Sequence, residues 1–190
     1  MAIHSFDEKL AYSRGVREAT DIETIRSLIA GCESVRKTDL FDDRAGVDYI
    51  ATLRRGAEVL IDAKTRTPGC SRHWRNGPEL ALEIWSVMPT EQSPDGKVGW
   101  TACEEKNVDY ILFTFPPDDS MAVYLYPFQL LRMAFRENYN GWASAGYKTD
   151  VQKSTSQEMG AWQSKCIFVP EPVVWTAIRD VMQGQQASVE

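Results

Sequence analysis

Two hydrophobic periods alternate along this chain, and the switches between them outline its elements. From Asp21, which can cap, the apolar residues Ile22, Ile25, Leu28, Ile29 and Cys32 recur at helical spacing and predict a helix over about 21–35. Residues 5–20 carry a weaker helical pattern, interrupted by Gly15. After the acidic, turn-rich Thr38–Ala45 the period falls to two. Val47–Leu53 and Glu58–Thr65 are β-rich runs on either side of Arg54-Arg55-Gly56-Ala57, the pattern of an antiparallel hairpin. Glu79–Met88 alternates as a third strand, with Leu80, Leu82 and Ile84 on one face and Ala81, Glu83 and Trp85 on the other. A short helix over Trp100–Lys106 and a central strand over Val108–Phe115 follow. Met121–Tyr126 reads as another strand, and Pro127 suits the start of a helix over about 128–138. Trp162–Val169 is a late strand, and Glu171–Met182 a terminal helix that buries Val174, Ile178 and Val181. The mixture predicts an α/β (α+β) fold in one domain over 1–190, with no repeat or interdomain linker.

Charge interrupts this pattern where it is most costly. Asp48 lies in the first run of the hairpin, Asp62 and Lys64 lie two residues apart in the second, and Glu83 lies in the third strand. Residues two apart in a strand share a face, so Asp62 and Lys64 point the same way. Ionic groups buried in a sheet need partners or a metal.

Composition narrows the class. With 43% hydrophobic and 25% charged residues and no apolar run long enough to span a bilayer, the chain has the balance of a soluble globular protein. The opening MAIHSFDEKLAYSRG is polar where a signal peptide would be apolar, so a cytoplasmic location and no membrane partner are expected. Cys32, Cys70, Cys103 and Cys166 form no CxxC pair and are read as reduced thiols; a zinc site using Cys70 and His73 would have to recruit the two distant cysteines. A net charge of −6 argues against indiscriminate coating of nucleic acid. Its distribution changes the picture, because Arg54–Arg75 holds six basic residues against two acidic ones. Arg54, Arg55, Arg66, Arg72 and Arg75 are candidate phosphate contacts, and Trp74 either stacks on a base or tucks onto the domain.

The order is helix, strand with Asp48, strand with Asp62-Ala63-Lys64, strand with Glu83, short helix, strand. It resembles the PD-(D/E)XK, or restriction-endonuclease-like, nuclease superfamily, in which an aspartate on one strand precedes an acidic-x-lysine tripeptide on the next. Here Gly46-Val47 stands where the family often has a proline before the aspartate, and Asp62 where glutamate is common. The same tripeptide pattern occurs at Asp7-Glu8-Lys9 and Glu104-Glu105-Lys106, but only Asp62-Ala63-Lys64 ends an apolar β run after an aspartate-bearing strand. The resemblance covers about 21–115 as the nuclease-like core, a central mixed β-sheet flanked by helices, and leaves about 121–184 as a C-terminal strand and helix elaboration. It implies a Mg²⁺- or Mn²⁺-dependent deoxyribonuclease with DNA as partner, acting as a homodimer or in a nuclease complex. Asp48 and Asp62 would be metal ligands, with the Ala63 carbonyl and Glu83 as further candidates, and Lys64 would orient or activate water, or neutralise phosphate. Glu83 could equally anchor Lys64 or be a half-exposed strand residue, and Glu33, which the family's helix sometimes matches with an acid, lies at the edge of the apolar stripe. A catalytically silent nucleic-acid-binding or inhibitory protein on the same scaffold is the alternative. No HExxH, GxxxxGK or GxGxxG motif competes.

Overall fold

A computed structural model of the protein describes residues 3–5, 18–38, 46–66, 68–75, 77–91, 94–115, 122–156 and 160–187. It divides into two compact units that interleave along the chain, one from Leu10–Arg72 with Glu104–Gln129, the other from Met1–Lys9, His73–Cys103 and Leu130–Glu190. Each unit has its own five-stranded sheet, so the mixed α/β class expected from the sequence holds.

The hairpin unit begins with α1 (Glu18–Leu28). Gly31 then takes a positive φ of 76°, and β2 (Cys32–Lys37) follows. Helical spacing had suggested a helix running on to 35; the left-handed glycine, which costs little without a Cβ, ends it and turns the chain into a strand. Leu28, expected on the buried stripe, is exposed, while Ile25 is buried. Glu33 is an exposed residue of β2 rather than the end of a helix. The expected hairpin is present as β3 (Tyr49–Leu53) and β4 (Glu58–Thr65), paired antiparallel from Tyr49 opposite Ile61 to Thr52 opposite Glu58. Arg55 and Gly56 both adopt positive φ in its turn.

The sheet continues with β7 (Tyr110–Thr114), parallel to β4, and β8 (Val123–Pro127), antiparallel to β7, giving the order β2-β3-β4-β7-β8. The intervening β5 (Glu79–Val87) and β6 (Lys97–Val98) belong to the second unit. One face of this mixed sheet packs on α1: Tyr49, Ala51, Ile61 and Leu112 meet Ile25, with Ile22, Ile29, Val35 and Ala63 around them. The buried Asp21 accepts a hydrogen bond from the Tyr49 hydroxyl at 3.1 Å and ties the helix to β3. Because strand side chains alternate, Ile61 and Ala63 facing α1 send Asp62 and Lys64 to the other face. There the register sets them beside Ile111 and Phe113 of β7, which in turn pair with Tyr126 and Tyr124 of β8.

In the second unit the sheet order is β1-β9-β10-β5-β6, where β1 is Ile3–Ser5, β9 is Thr149–Ser156 and β10 is Gly160–Pro170. The strand expected over Glu79–Met88 is thus β5, paired with β10 and β6. The segment expected as a helix over Trp100–Lys106 forms turns instead, with the amides of Ala102 and Cys103 both donating to the Gly99 carbonyl at 3.0 Å. Gly99 lies so close to the Glu83 carbonyl that a Cβ would clash there, which fixes the chain against β5. The two long helices are α2 (Phe128–Ser144), longer than the 128–138 expected, and α3 (Glu171–Ala187). Val174, Ile178 and Val181 are buried along α3, as their spacing suggests. No helix among the described residues is long and apolar enough to cross a membrane.

Candidate active site

Asp48 stands immediately before β3, at the end of the hairpin away from its turn. Its amide donates to the Ile61 carbonyl at 2.9 Å, and its carbonyl accepts from both the amide and the hydroxyl of Thr38, at 3.0 and 3.1 Å. The backbone at Asp48 is therefore held between β2 and β4. Its carboxylate Oδ2 accepts the Ala63 amide at 2.7 Å, which draws the side chain over the middle of the tripeptide. Asp62, 1% exposed, projects from β4 on the face away from α1.

Two cations hold Asp62. Lys64 Nζ donates to Oδ1 at 2.6 Å, and Lys106 Nζ lies 2.9 Å from Oδ2. The Oδ2 contact is an ion pair without hydrogen-bond alignment, and among the described residues that buried oxygen has no hydrogen-bond donor. Burial would raise the Asp62 pKa, but the charges of Lys64 and Lys106 outweigh it and hold the carboxyl below the usual range. Asp48 goes the other way. Burial, and then the negative charge of Asp62, push it up to about 7, against the opposing pull of Lys64 and the Ala63 amide. The two carboxyl groups are coupled by charge and by side-chain hydrogen bonding, one ready to share a proton and the other fixed as an anion.

The donor set suits a hard divalent cation. Two coupled carboxylates, one with a buried oxygen lacking a hydrogen-bond donor, match the sparse all-oxygen binding of Mg²⁺, which keeps waters for its remaining positions. No group of three or more His, Cys, Asp or Glu side chains able to hold a metal occurs among the described residues.

The structure brings together Asp48, Asp62, Ala63 and Lys64, and it adds Lys106. Glu83 belongs to the second unit, where its carboxylate accepts the Ser86 hydroxyl at 2.5 Å and the Trp100 amide at 3.3 Å. Trp74 and Arg75 also lie in that unit; Trp74 is half-buried, and Arg75 donates to the Gly146 carbonyl at 2.9 Å. Arg54 and Arg55 are exposed at the hairpin turn, six or seven residues from Asp48 and so about 20 Å along the strand. Arg66 follows β4 directly, its amide bonded to the Thr114 carbonyl at 2.9 Å, and Arg72 is exposed on a short 3₁₀ turn at Cys70–His73.

Three basic residues near this end of the sheet were not singled out by sequence. Arg36 and Lys37 are exposed in β2, opposite Ile50 and Tyr49 and next to the Thr38 that holds Asp48. The helical stripe through Cys32 masks this strand in the sequence, and Gly31 before the β-branched Val35 is the signal that could have marked it. Lys106 belongs to the Glu104-Glu105-Lys106 copy of the tripeptide, which has no strand around it. Comparison with protein families, with curated proteins and with solved structures gives no match.

Proposed function

We propose that the protein is a metal-dependent nuclease that hydrolyses phosphodiester bonds in DNA through the Asp48, Asp62 and Lys64 constellation, in the manner of the PD-(D/E)XK superfamily. The observation that carries this reading is the meeting of Asp48 with Asp62-Ala63-Lys64 at one end of an antiparallel hairpin in a mixed sheet, with the two carboxyl groups coupled and Lys64 Nζ 2.6 Å from Asp62. Asp48 and Asp62 would hold Mg²⁺ or Mn²⁺, with the Ala63 carbonyl as a further oxygen donor. When bound, such a cation polarises the phosphoryl group and lowers the pKa of a coordinated water.

The residues of the chain supply the remaining parts. Asp62, buried and kept anionic by its lysines, is a charge fixed in place before substrate arrives. Lys64, whose side chain is 31% exposed, can turn its ammonium from Asp62 towards an attacking water or a phosphoryl oxygen. Water adds to phosphorus, its proton passes to solvent or a nearby base, and the P–O bond to the leaving oxygen breaks with that oxygen reprotonated. Arg36, which the register with Ile50 sets on the face of Asp62, and Arg66 supply positive charge near this end of the sheet, where phosphates of the substrate strand would run; Lys37, opposite Tyr49, lies on the α1 face.

One observation favours the catalytically silent alternative: Asp62 already has two ammonium partners and is charge-satisfied without a metal. A direct test separates the readings. Purified protein is incubated with linear, circular, single-stranded and branched DNA in Mg²⁺, Mn²⁺ or EDTA. Cleavage that requires metal and disappears in Asp62→Ala and Lys64→Ala is expected. Binding without cleavage under every condition would instead support the silent scaffold, and cleavage indifferent to both substitutions would remove this site from the account.

A further inference from the structure

Lys106 is the feature of the site that the tripeptide does not explain. Its side chain is 8% exposed, against 31% for Lys64, so it is the more deeply desolvated of the two ammonium groups. Its position is also built. Nζ donates to the Gly46 carbonyl at 2.9 Å while standing 2.9 Å from Asp62 Oδ2. Gly46 has a φ of +82°, and a Cβ there would lie 2.5 Å from Nζ, so the absent side chain is what leaves room for the ammonium. Desolvating a lysine this far is costly unless its partners are fixed, and here they are a buried anion and a backbone carbonyl.

We propose that Lys106 is the resident counter-cation of the Asp48–Asp62 site, paired with the buried Asp62 carboxylate that would help hold a divalent metal and so setting how tightly the site binds metal. This rests on the metal-dependent reading above. Both cations seek the same buried lone pairs, and each repels the other across a few ångströms of poorly solvated space. Metal loading therefore requires Nζ to withdraw from Oδ2. The Gly46 carbonyl, 2.9 Å from Nζ, is the partner left to the ammonium once it parts from Asp62. In the metal-free protein the same ion pair neutralises Asp62 and spares the fold an unpaired buried carboxylate. Lys106 is thus a positioning residue that acts through Asp62.

Mn²⁺ titration calorimetry on the full chain at about pH 8, where ligand protonation competes least, tests this with wild type, Lys106→Met, Lys106→Gln and Lys106→Arg. Loss of the charge tightens Mn²⁺ binding by roughly tenfold or more, whereas the charge-preserving arginine stays within about threefold of wild type. In EDTA the Met and Gln variants melt below wild type, and Mn²⁺ raises their Tm by more than it raises that of wild type. If wild type binds Mn²⁺ and the Met and Gln variants bind it no more tightly, this inference falls while the nuclease reading stands. If none of the four proteins binds Mn²⁺, both fall together. A second measurement needs no variant: in wild type, Mg²⁺ should shift the Lys106 ammonium resonance along the same curve as metal binding. A resonance unmoved at saturating Mg²⁺ overturns the inference.

Discussion

Asp48 and Asp62 respond to pH in opposite senses, because one is raised by burial and its neighbour's charge while the other is lowered by two lysines. The folded value of Asp48, about 7, lies above the ordinary aspartate value of 3.8, so its contribution to stability is fully present below pH 3.8 and is lost as pH rises to about 7. Asp62, lowered, stabilises the fold above its unfolded value and loses that contribution as pH falls towards its folded one. Asp48→Asn removes the first liability while leaving an acceptor for the Ala63 amide. In EDTA this variant should therefore be more stable than wild type by on the order of 1–3 kcal/mol at pH 8. Urea titrations across pH should show the gain shrinking steadily below pH 7. The same variant should lose Mn²⁺ binding. In wild type, Mn²⁺ must displace the Asp48 proton, so affinity should rise about tenfold per pH unit up to about 7 and then level off. Calorimetry at pH 6 in buffers of different ionisation enthalpy should count about one proton released per metal. Gly46→Ala is expected to cost about 1–2 kcal/mol, from a strained positive φ and from the contact with Lys106 Nζ. At this scale Asp48, Asp62 and Lys64 were readable, because charges inside β runs demand an explanation. Lys106 was not, since only the tertiary fold brings its ammonium to Asp62.

The hairpin was the most legible element. Its two runs are β-branched and apolar, Gly56 suits the left-handed backbone of its turn, which Arg55 also adopts, and the observed strands match the expected ones closely. The helix before it was misjudged because Ile22, Ile25, Ile29 and Cys32 continue one helical stripe across a glycine, although Cys32 already belongs to β2. That correction moves Arg36 and Lys37 from a helix end to a strand end beside Asp48, and it reorders the expected contacts with DNA. Arg36→Ala should weaken binding to a short oligonucleotide several-fold at fixed salt and reduce the slope of log K against log salt by about 1, whereas Lys37→Ala, on the α1 face, should change both less. Arg54→Ala with Arg55→Ala, about 20 Å away along the hairpin, should matter only for DNA long enough to reach the turn. Fluorescence anisotropy with short and long duplexes over a salt series reads both effects. Equal losses on the short duplex would mean that DNA does not track along this end of the sheet.

Interleaving governs the behaviour of the whole molecule. The chain passes from one unit to the other at Lys9–Leu10, Arg72–His73, Cys103–Glu104 and Gln129–Leu130, and no shift in composition or Gly- and Ser-rich linker marks these crossings. Periodicity reports which residues are buried in a strand, but it carries no information on which strand lies alongside, so the chain order of β4 and β5 does not give their pairing. In the structure β4 pairs instead with β7, whose first residue Tyr110 lies 45 positions beyond Thr65, the last of β4, and β5 pairs with β10 from the far end of the chain. A fragment of residues 18–115 contains every acidic and basic residue first read as catalytic, yet it deprives β7 of β8 and β5 of β10. Leu80 and Leu82, both fully buried in the intact chain, would lose their strand partner, and burying such a leucine contributes roughly 1.5–3 kcal/mol. Against a net stability of about 5–15 kcal/mol for a typical domain, these losses together are disabling. The fragment is expected to give the poorly dispersed amide spectrum of an unfolded chain and to bind no Mn²⁺, while the full chain gives a dispersed spectrum under the same conditions. A fragment that instead folded cooperatively and bound metal would mean that the hairpin sheet is stable and holds Asp48 against Asp62 without β8.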